Sequence, residues 1–102
     1  MAFSVVHYLY ILYSASCDKY YVGQSKDVQQ RLIYHNNPVE GRKYTVRGIP
    51  WELRLSVCVS TKRHAMELEK FVKRMKSKSF ILRFIADESL RNEIVSKTAP
   101  DC

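Results

Sequence analysis

The chain has 102 residues, which fits one domain with a single modest core, so an active site is expected on the face of that core. It carries 17 lysine and arginine residues against 10 aspartate and glutamate residues, and the formal net charge of +7 favours a polyanionic partner such as nucleic acid. The N-terminal apolar run is short, lacks a basic start and is interrupted by tyrosines, which argues against a signal peptide or a membrane partner.

Two short strands are predicted first. Residues 7–14 are rich in tyrosine, isoleucine and leucine, as strands are. Residues 15–19, with the sequence ASCDK, are typical of a turn, and residues 20–23 form a second strand. Together these segments predict an antiparallel hairpin.

A helix is predicted next, over about residues 26–35. Ser25 is expected to be its N-cap, and Asp27 suits the positive first turn of a helix. Val28 and Leu32 lie four residues apart and form the predicted buried stripe, which His35 continues.

A basic loop and a long strand follow this helix. The loop covers residues 36–50 and holds Arg42, Lys43 and Arg47. Five apolar residues then alternate with polar ones over residues 51–59, and this period of two predicts a half-buried strand. The apolar positions are Trp51, Leu53, Leu55, Val57 and Val59.

The rest of the chain is predicted to be helical. Ser60 or Thr61 caps a helix that runs to about residue 76, with a buried stripe formed by Ala65, Leu68, Val72 and Met75. An amphipathic helical tail over about residues 79–97 is expected to break near Asp87. The order ββαβαα predicts an α+β fold in which an antiparallel three-stranded sheet carries flanking helices. The single domain would have its core at about 7–76 and a C-terminal helical extension.

The three cysteines bear on the compartment. Cys17, Cys58 and Cys102 are odd in number and have no paired spacing, so they do not indicate a disulfide framework. They fit a reducing cytosol, and the expected location is cytoplasmic. No pair of cysteines or cluster with histidine has the spacing of a zinc site.

Arg31 and His35 are the first candidates for chemistry. They lie four residues apart, so a helix places both side chains on one face. An arginine can hold a phosphate through a planar pair of hydrogen bonds, and a histidine can transfer a proton near neutral pH. On the pattern alone, a solvent-facing arginine beside a helix-end histidine is the better interpretation.

Glu69 is the candidate metal ligand. It lies at the border of the buried stripe, where a carboxylate can bind a hard cation such as magnesium. Glu67 is two residues away, faces elsewhere on a helix and is expected to be solvated. A two-metal nuclease needs several converging carboxylates, and this sequence offers no such cluster, so one metal ion at most is expected.

Taken in order, these pieces resemble a GIY-YIG nuclease domain of the small standalone kind. Residues 8–10, Tyr-Leu-Tyr, occupy the GIY position, and residues 21–23, Tyr-Val-Gly, occupy the YIG position. The run YVGxxKDxxxR over residues 21–31 resembles homing-endonuclease and excision-repair members. The pattern AxxxExxxK over residues 65–73 resembles the helix that bears the family's metal-binding glutamate.

The resemblance implies an endonuclease that hydrolyses phosphodiester bonds in nucleic acid, DNA rather than RNA, with one divalent metal ion, Mg²⁺ or Mn²⁺. The implied active-site residues are the two motif tyrosines, Tyr10 and Tyr21, and the catalytic arginine, Arg31. They also include His35, at a position that holds histidine or tyrosine, and the metal ligand, Glu69. We expect a monomer or a weak dimer.

Further residues receive supporting roles. The resemblance implies that Gly23 lets the chain turn tightly from strand to helix and that Lys26 contacts phosphate. The basic loop supplies Lys43 and Arg47 for binding nucleic acid. In the mechanism that follows, Tyr21 is the general base, Tyr10 positions its partners and His35 relays the proton.

The sequence departs from the family pattern at points that bear on the proton-transfer assignment more than on the fold, and two alternative functions are also open. Tyr8 stands at the first glycine of GIY, Gln24 stands where repair members often carry lysine, and Asn92 is a poor match for a late asparagine of some members. The alternatives are a non-catalytic nucleic-acid-binding module on the same fold and a protein-interaction module. The second rests only on apolar residues of the tail, for which core packing is the better explanation: Phe80, Ile81, Phe84 and Ile85.

Overall fold

The computed structural model describes residues 6–38 and 43–100; the side chains of residues 43 and 44 are also outside the described part. Its sheet has three antiparallel strands, β1 (His7–Ser14), β2 (Lys19–Ser25) and β3 (Trp51–Val59), in the order β2-β1-β3. The predicted α+β class and antiparallel three-stranded sheet are therefore confirmed. Strand β1 is central and β2 forms one edge.

The described helices are α1 (Val28–His35), α2 (Lys43–Val46), α3 (Lys62–Arg74), α4 (Lys78–Ala86) and α5 (Glu88–Lys97). The short helix α2 lies within the segment that was expected to be a loop. The tail does break at Asp87, which is both the C-cap of α4 and the N-cap of α5. The predicted order thus holds, with one added short helix and a divided tail.

The helix starts are set by side-chain caps. Thr61 caps α3 by accepting a hydrogen bond from the backbone N–H of His64 at 3.0 Å. The expected Ser25 cap of α1 is wrong, because Asp27 is the N-cap and accepts from the N–H of Gln30 at 3.0 Å. Ser25 ends β2, and its hydroxyl accepts from the Asp27 N–H, which turns the chain towards the helix.

Apolar side chains pack on both faces of the sheet. On one face, α3, α4 and α5 cover a core whose fully buried members include Leu9, Ile11, Leu68 and Phe84. Phe84 is completely buried, so the C-terminal helices contribute to the core, as the packing explanation of the tail predicted. Met75 is 45% exposed, and its expected place in the buried stripe of α3 is wrong because the helix ends there.

The second face carries α1 and a smaller core built from aromatic residues, with Tyr10, Leu12, Val28 and Trp51 as its buried members. Strand β3 contributes apolar side chains to the cores on both faces of the sheet. Ile11 pairs with Leu55, but Leu12 pairs with Leu53, so one extra residue of β3 forms a bulge. Trp51 and Leu53 consequently pack on the α1 side, whereas Leu55, Val57 and Val59 pack towards α3.

None of the helices formed by the described residues is long and apolar enough to cross a membrane.

Candidate active site

Tyr10 lies at the centre of the site. It is in the middle of β1, directly opposite Gly23 of β2, and only 1% of it is exposed. Its hydroxyl forms a hydrogen bond with Nε2 of His35, 3.1 Å away, at the C-terminal end of α1. The central strand and the following helix therefore meet through these two buried polar side chains.

Gly23 has a different role from the expected tight turn. It lies inside β2, which continues to Ser25. A Cβ atom at position 23 would be 2.6 Å from both Cζ and the hydroxyl oxygen of Tyr10. The glycine is required because the Tyr10 ring lies across it, so the turn role implied by the resemblance is corrected to one of close packing.

Tyr21 completes an aromatic cluster around His35. Its ring centroid is 4.5 Å from that of His35 and 6.3 Å from that of Tyr10. Trp51 packs edge-on against Tyr21, at 6.1 Å between centroids. Tyr21 is half-buried, in contrast to Tyr10, so of the two motif tyrosines it is the one that solvent reaches.

Arg31 lies one helical turn before His35 and is half-buried. Its guanidinium is near enough to the Tyr10 hydroxyl to lower the pKa of that group, and its Cζ lies 4.3 Å from the ring centroid of Tyr34. The helical spacing thus brings both predicted residues to the same tyrosine, and the solvent-facing interpretation of the pair does not hold.

The surroundings of Tyr10 raise its pKa above the usual value of 10.0. Burial is the largest cause, because it disfavours the charged phenolate. The hydrogen bond from Arg31 works in the opposite direction, while the charges of Tyr21 and Glu69 add to the increase. Near neutral pH, Tyr10 therefore keeps its proton and is suited to orient its partners.

Glu69 approaches the same cluster from α3. Its side chain is 21% exposed and accepts a 2.6 Å hydrogen bond from Nζ of Lys73, one turn later. Its negative charge adds to the rise in the pKa of Tyr10. Glu67 instead pairs with Lys70 at 3.7 Å.

A single carboxylate limits the metals that the site can hold. Within residues 6–38 and 43–100, no group of three or more histidine, cysteine, aspartate or glutamate side chains could enclose a metal ion. Magnesium keeps several waters and commonly binds through one or two carboxylates together with substrate phosphate oxygens. Glu69, a partly exposed carboxylate whose charge acts on Tyr10, fits an ion bound in this way.

Asn36 is a further residue of this region, which the sequence did not single out. It is the C-cap of α1, and its side chain bridges the backbone of Trp51. Its Oδ1 accepts from the Trp51 N–H at 2.6 Å, and its Nδ2 donates to the Trp51 carbonyl at 3.0 Å. This bridge fixes the end of α1 to the start of β3, next to His35. The clue to this role in the sequence is the position of Asn36, directly after His35.

The predicted nucleic-acid contacts lie outside this cluster. Lys26 is exposed between β2 and α1, and Arg47 is exposed in the turn after α2. Lys43 begins α2, but its side chain falls outside the described residues, as does Arg42. Asn92 is exposed on α5. The structure thus brings Tyr10, Tyr21, Arg31 and His35 into one cluster, on which the charge of Glu69 acts from α3.

Comparisons with known proteins agree with this arrangement. The family model described as the GIY-YIG catalytic domain matches residues 6–81. A UPF0213 protein of Bacillus licheniformis is 37% identical over 73 residues, which cover 72% of this chain and 73% of the relative. The UPF0213 protein YazA of Bacillus subtilis is 32% identical over 93% of each chain.

A third relative is matched over most of its own length. A UPF0213 protein of Halobacterium salinarum is 34% identical over 69% of this chain and 88% of the relative. No solved structure matches the chain significantly. The family match spans both motif tyrosines, the arginine, the histidine and the glutamate of the site. The chain belongs to the GIY-YIG family, and to the UPF0213 proteins within it.

Proposed function

We propose that the protein is an endonuclease that uses one divalent metal ion, Mg²⁺ or Mn²⁺, to hydrolyse phosphodiester bonds in nucleic acid, with DNA preferred over RNA. One observation carries the proposal: the buried hydroxyl of Tyr10 is hydrogen-bonded to His35, and the charges of Arg31 on α1 and Glu69 on α3 both act on it. Core packing alone gives no reason to bring a guanidinium, an imidazole and a carboxylate to one phenol.

Hydrolysis of a phosphodiester requires a nucleophile, shielding of the phosphate charge and help for the leaving oxygen. Arg31 supplies a fixed positive charge where negative charge grows in the transition state. Glu69 would hold the metal ion, which when bound supplies further positive charge to the phosphate oxygens. The two charges would therefore act on the substrate from α1 and α3, respectively.

Tyr21 is the proposed general base. Its half-buried ring leaves it accessible to an attacking water, and it lies against His35, which can accept the proton in turn. Tyr10 is less suited to this step because burial raises its pKa. Its proposed role is to hold Arg31 and His35 in position through its hydroxyl.

The first test is a cleavage assay across single-stranded, duplex and branched DNA and RNA, with and without Mg²⁺ or Mn²⁺. We expect metal-dependent cleavage with a preference for DNA. Glu69→Ala should abolish it while changing stability by no more than about 1 kcal/mol, the usual range for a partly exposed side chain. Glu67→Ala is the matched control and should cleave like the parent.

The non-catalytic binding module is the competing function, and the same assay separates the two. Nucleic-acid binding without cleavage under every metal condition would favour the module. Loss of cleavage in Glu67→Ala but not in Glu69→Ala would mean that the wrong glutamate has been assigned to the metal. In either case, the net charge of +7 predicts that binding weakens steeply with salt, with a log–log slope of roughly −0.9 for each phosphate contact on duplex DNA.

A further inference from the structure

A cavity of about 560 Å³ lies between the edge strand β2 and the junction of α3 and α4. We propose that this cavity, the β2–α3 groove, binds one strand of the substrate next to the cleaved bond, so that the preferred substrates have a single-stranded segment there. The inference rests on the proposed nuclease function and names the substrate class for the same site.

The groove adjoins the candidate active site. Tyr21, the proposed base, forms part of its wall, and Lys73, the partner of Glu69, forms another part. Apolar side chains also line it, among them Val22, Val72 and Ile81. A strand that leaves the cleaved phosphate on this side can therefore pass directly into the groove.

The charge of the lining favours a phosphate backbone. Four lysines line the groove, Lys19, Lys73, Lys76 and Lys78, against the single acidic residue Asp18. Lys73 pairs with Glu69, and Lys78 pairs with Asp18 at 2.5 Å. In the part of the chain that the structure describes, Lys19 and Lys76 form no ion pair. These two ammonium groups are available to bind an anion.

The backbone at Lys76 gives an independent indication. Lys76 follows the C-cap of α3 and has φ of 46°, in the left-handed region where glycine or asparagine is normally found. Asp18, with φ of 50°, is the other non-glycine residue with positive φ among those described, and it lines the same groove. A lysine kept at an unfavourable backbone position indicates a requirement for its side chain.

The size of the groove selects a single strand. Cavities of 300–1,000 Å³ are typical of sites for one small ligand, so about 560 Å³ accommodates a nucleotide or two of one strand. A duplex would not enter it. Lysines would contact the phosphates, and the apolar wall would contact the sugar or base, a combination common in single-strand-binding proteins.

The test compares binding in metal-free buffer, where cleavage does not interfere. The probes are a fluorescein-labelled single-stranded 12-mer of DNA and a blunt duplex of the same sequence, titrated at several salt concentrations. Lys19→Gln and Lys76→Gln should each reduce the slope of log affinity against log salt on the single strand by about 0.7. Lys62→Gln removes the same charge from an exposed position at the start of α3 and should leave the slope unchanged.

A second variant separates binding from folding. Lys76→Gly removes the charge and also relieves the left-handed backbone, so it should melt at a higher temperature than the parent yet bind the single strand more weakly. Loss of a merely structural residue would not change stability and affinity in opposite directions.

The outcomes for the groove and for the nuclease are distinguishable. If the parent cleaves nucleic acid but Lys19→Gln and Lys76→Gln bind like Lys62→Gln, the groove proposal is overturned and the nuclease function stands. If the two variants weaken the blunt duplex as much as the single strand, the single-strand claim is overturned. Weaker single-strand binding by these variants, in a protein that cleaves nothing under any metal condition, would support the groove and reject the nuclease.

Discussion

The contact between Gly23 and Tyr10 gives the sharpest structural prediction, because one added methyl group tests it. In Gly23→Ala, the new Cβ would be 2.6 Å from the far end of the Tyr10 ring. Ordinary contact begins near 3.4 Å, so the ring must move by about 0.8 Å. Tyr10 is fully buried, and its hydrogen bond to His35 is already 3.1 Å long. A shift of this size would displace the hydroxyl from the position that this hydrogen bond requires.

The expected cost follows from these distances. Overpacking a buried site typically destabilises by about 1–3 kcal/mol, and the smaller unfolded-state entropy of alanine offsets about 0.4–1 kcal/mol of this. We therefore expect a net loss of about 1–2 kcal/mol, which lowers Tm by roughly 5–15 °C in a domain of this size. Cleavage by the folded variant should fall about 10²-fold, the effect expected when a site residue is displaced by about 1 Å.

Thermal unfolding and a cleavage assay well below Tm measure the two effects separately. The control is Gly23→Ala in a Tyr10→Leu background, where the smaller side chain leaves room for the methyl group. In that background, Gly23→Ala should lower the free energy of unfolding by less than about 0.5 kcal/mol. Because the same substitution costs more in the parent, the difference identifies the clash with the Tyr10 ring as the cause. A Gly23→Ala protein with parental Tm and parental turnover would show that the Tyr10 ring does not lie against Gly23.

Three more predictions concern the neighbours of this contact. Tyr21→Phe should reduce the cleavage rate by about 10²–10⁴-fold with little change in substrate binding, whereas Tyr10→Phe should cost less. Asn36→Ala should lower the free energy of unfolding, measured in urea, by about 1–3 kcal/mol, because it removes both hydrogen bonds to the Trp51 backbone. The raised pKa of Tyr10 makes stability depend on alkaline pH. Above pH 10.0 the unfolded chain loses the Tyr10 hydroxyl proton before the folded protein does, so the stability present below that pH is lost as pH rises. Tyr10→Phe should make this alkaline loss shallower in urea unfolding measured across that range.

Each of the three can fail in a distinct way. Near-parental turnover of Tyr21→Phe beside an inactive Tyr10→Phe would transfer the base role to Tyr10. An Asn36→Ala protein as stable as the parent would mean that water replaces the bridge without cost. An unchanged alkaline limb in Tyr10→Phe would indicate that the hydroxyl is more accessible to water than its burial implies.

The sequence predicted those features that depend on local periodicity. Helical spacing alone placed Arg31 and His35 on one face, and it put Glu69 rather than Glu67 at the border of the buried stripe. The alternation over Trp51–Val59 correctly indicated a strand. These features follow from the fixed repeats of helices and strands, which need no knowledge of what lies opposite.

Features that depend on a distant partner were not predictable. The bulge in β3 is a matter of register with β1, and alternation within β3 carries no information about it. The role of Gly23 depends on a tyrosine of the neighbouring strand, and that of Asn36 depends on a backbone 15 residues later. In each case the residue type was visible, but the reason for it lies in tertiary contacts.

The place of β2 at the edge of the sheet explains how one site can use both faces. Tyr10, Arg31 and His35 belong to the α1 face, whereas Glu69 comes from α3 on the other. Because Gly23 has no side chain, the ring of Tyr10 extends from the central strand across β2, towards the edge that α3 also borders. A fourth strand paired with β2 would leave both cores intact yet separate these groups and block the groove. Among the strands that the structure describes, β2 is an edge strand, usually a liability in a sheet, and its edge is where the two halves of the proposed site can meet a substrate.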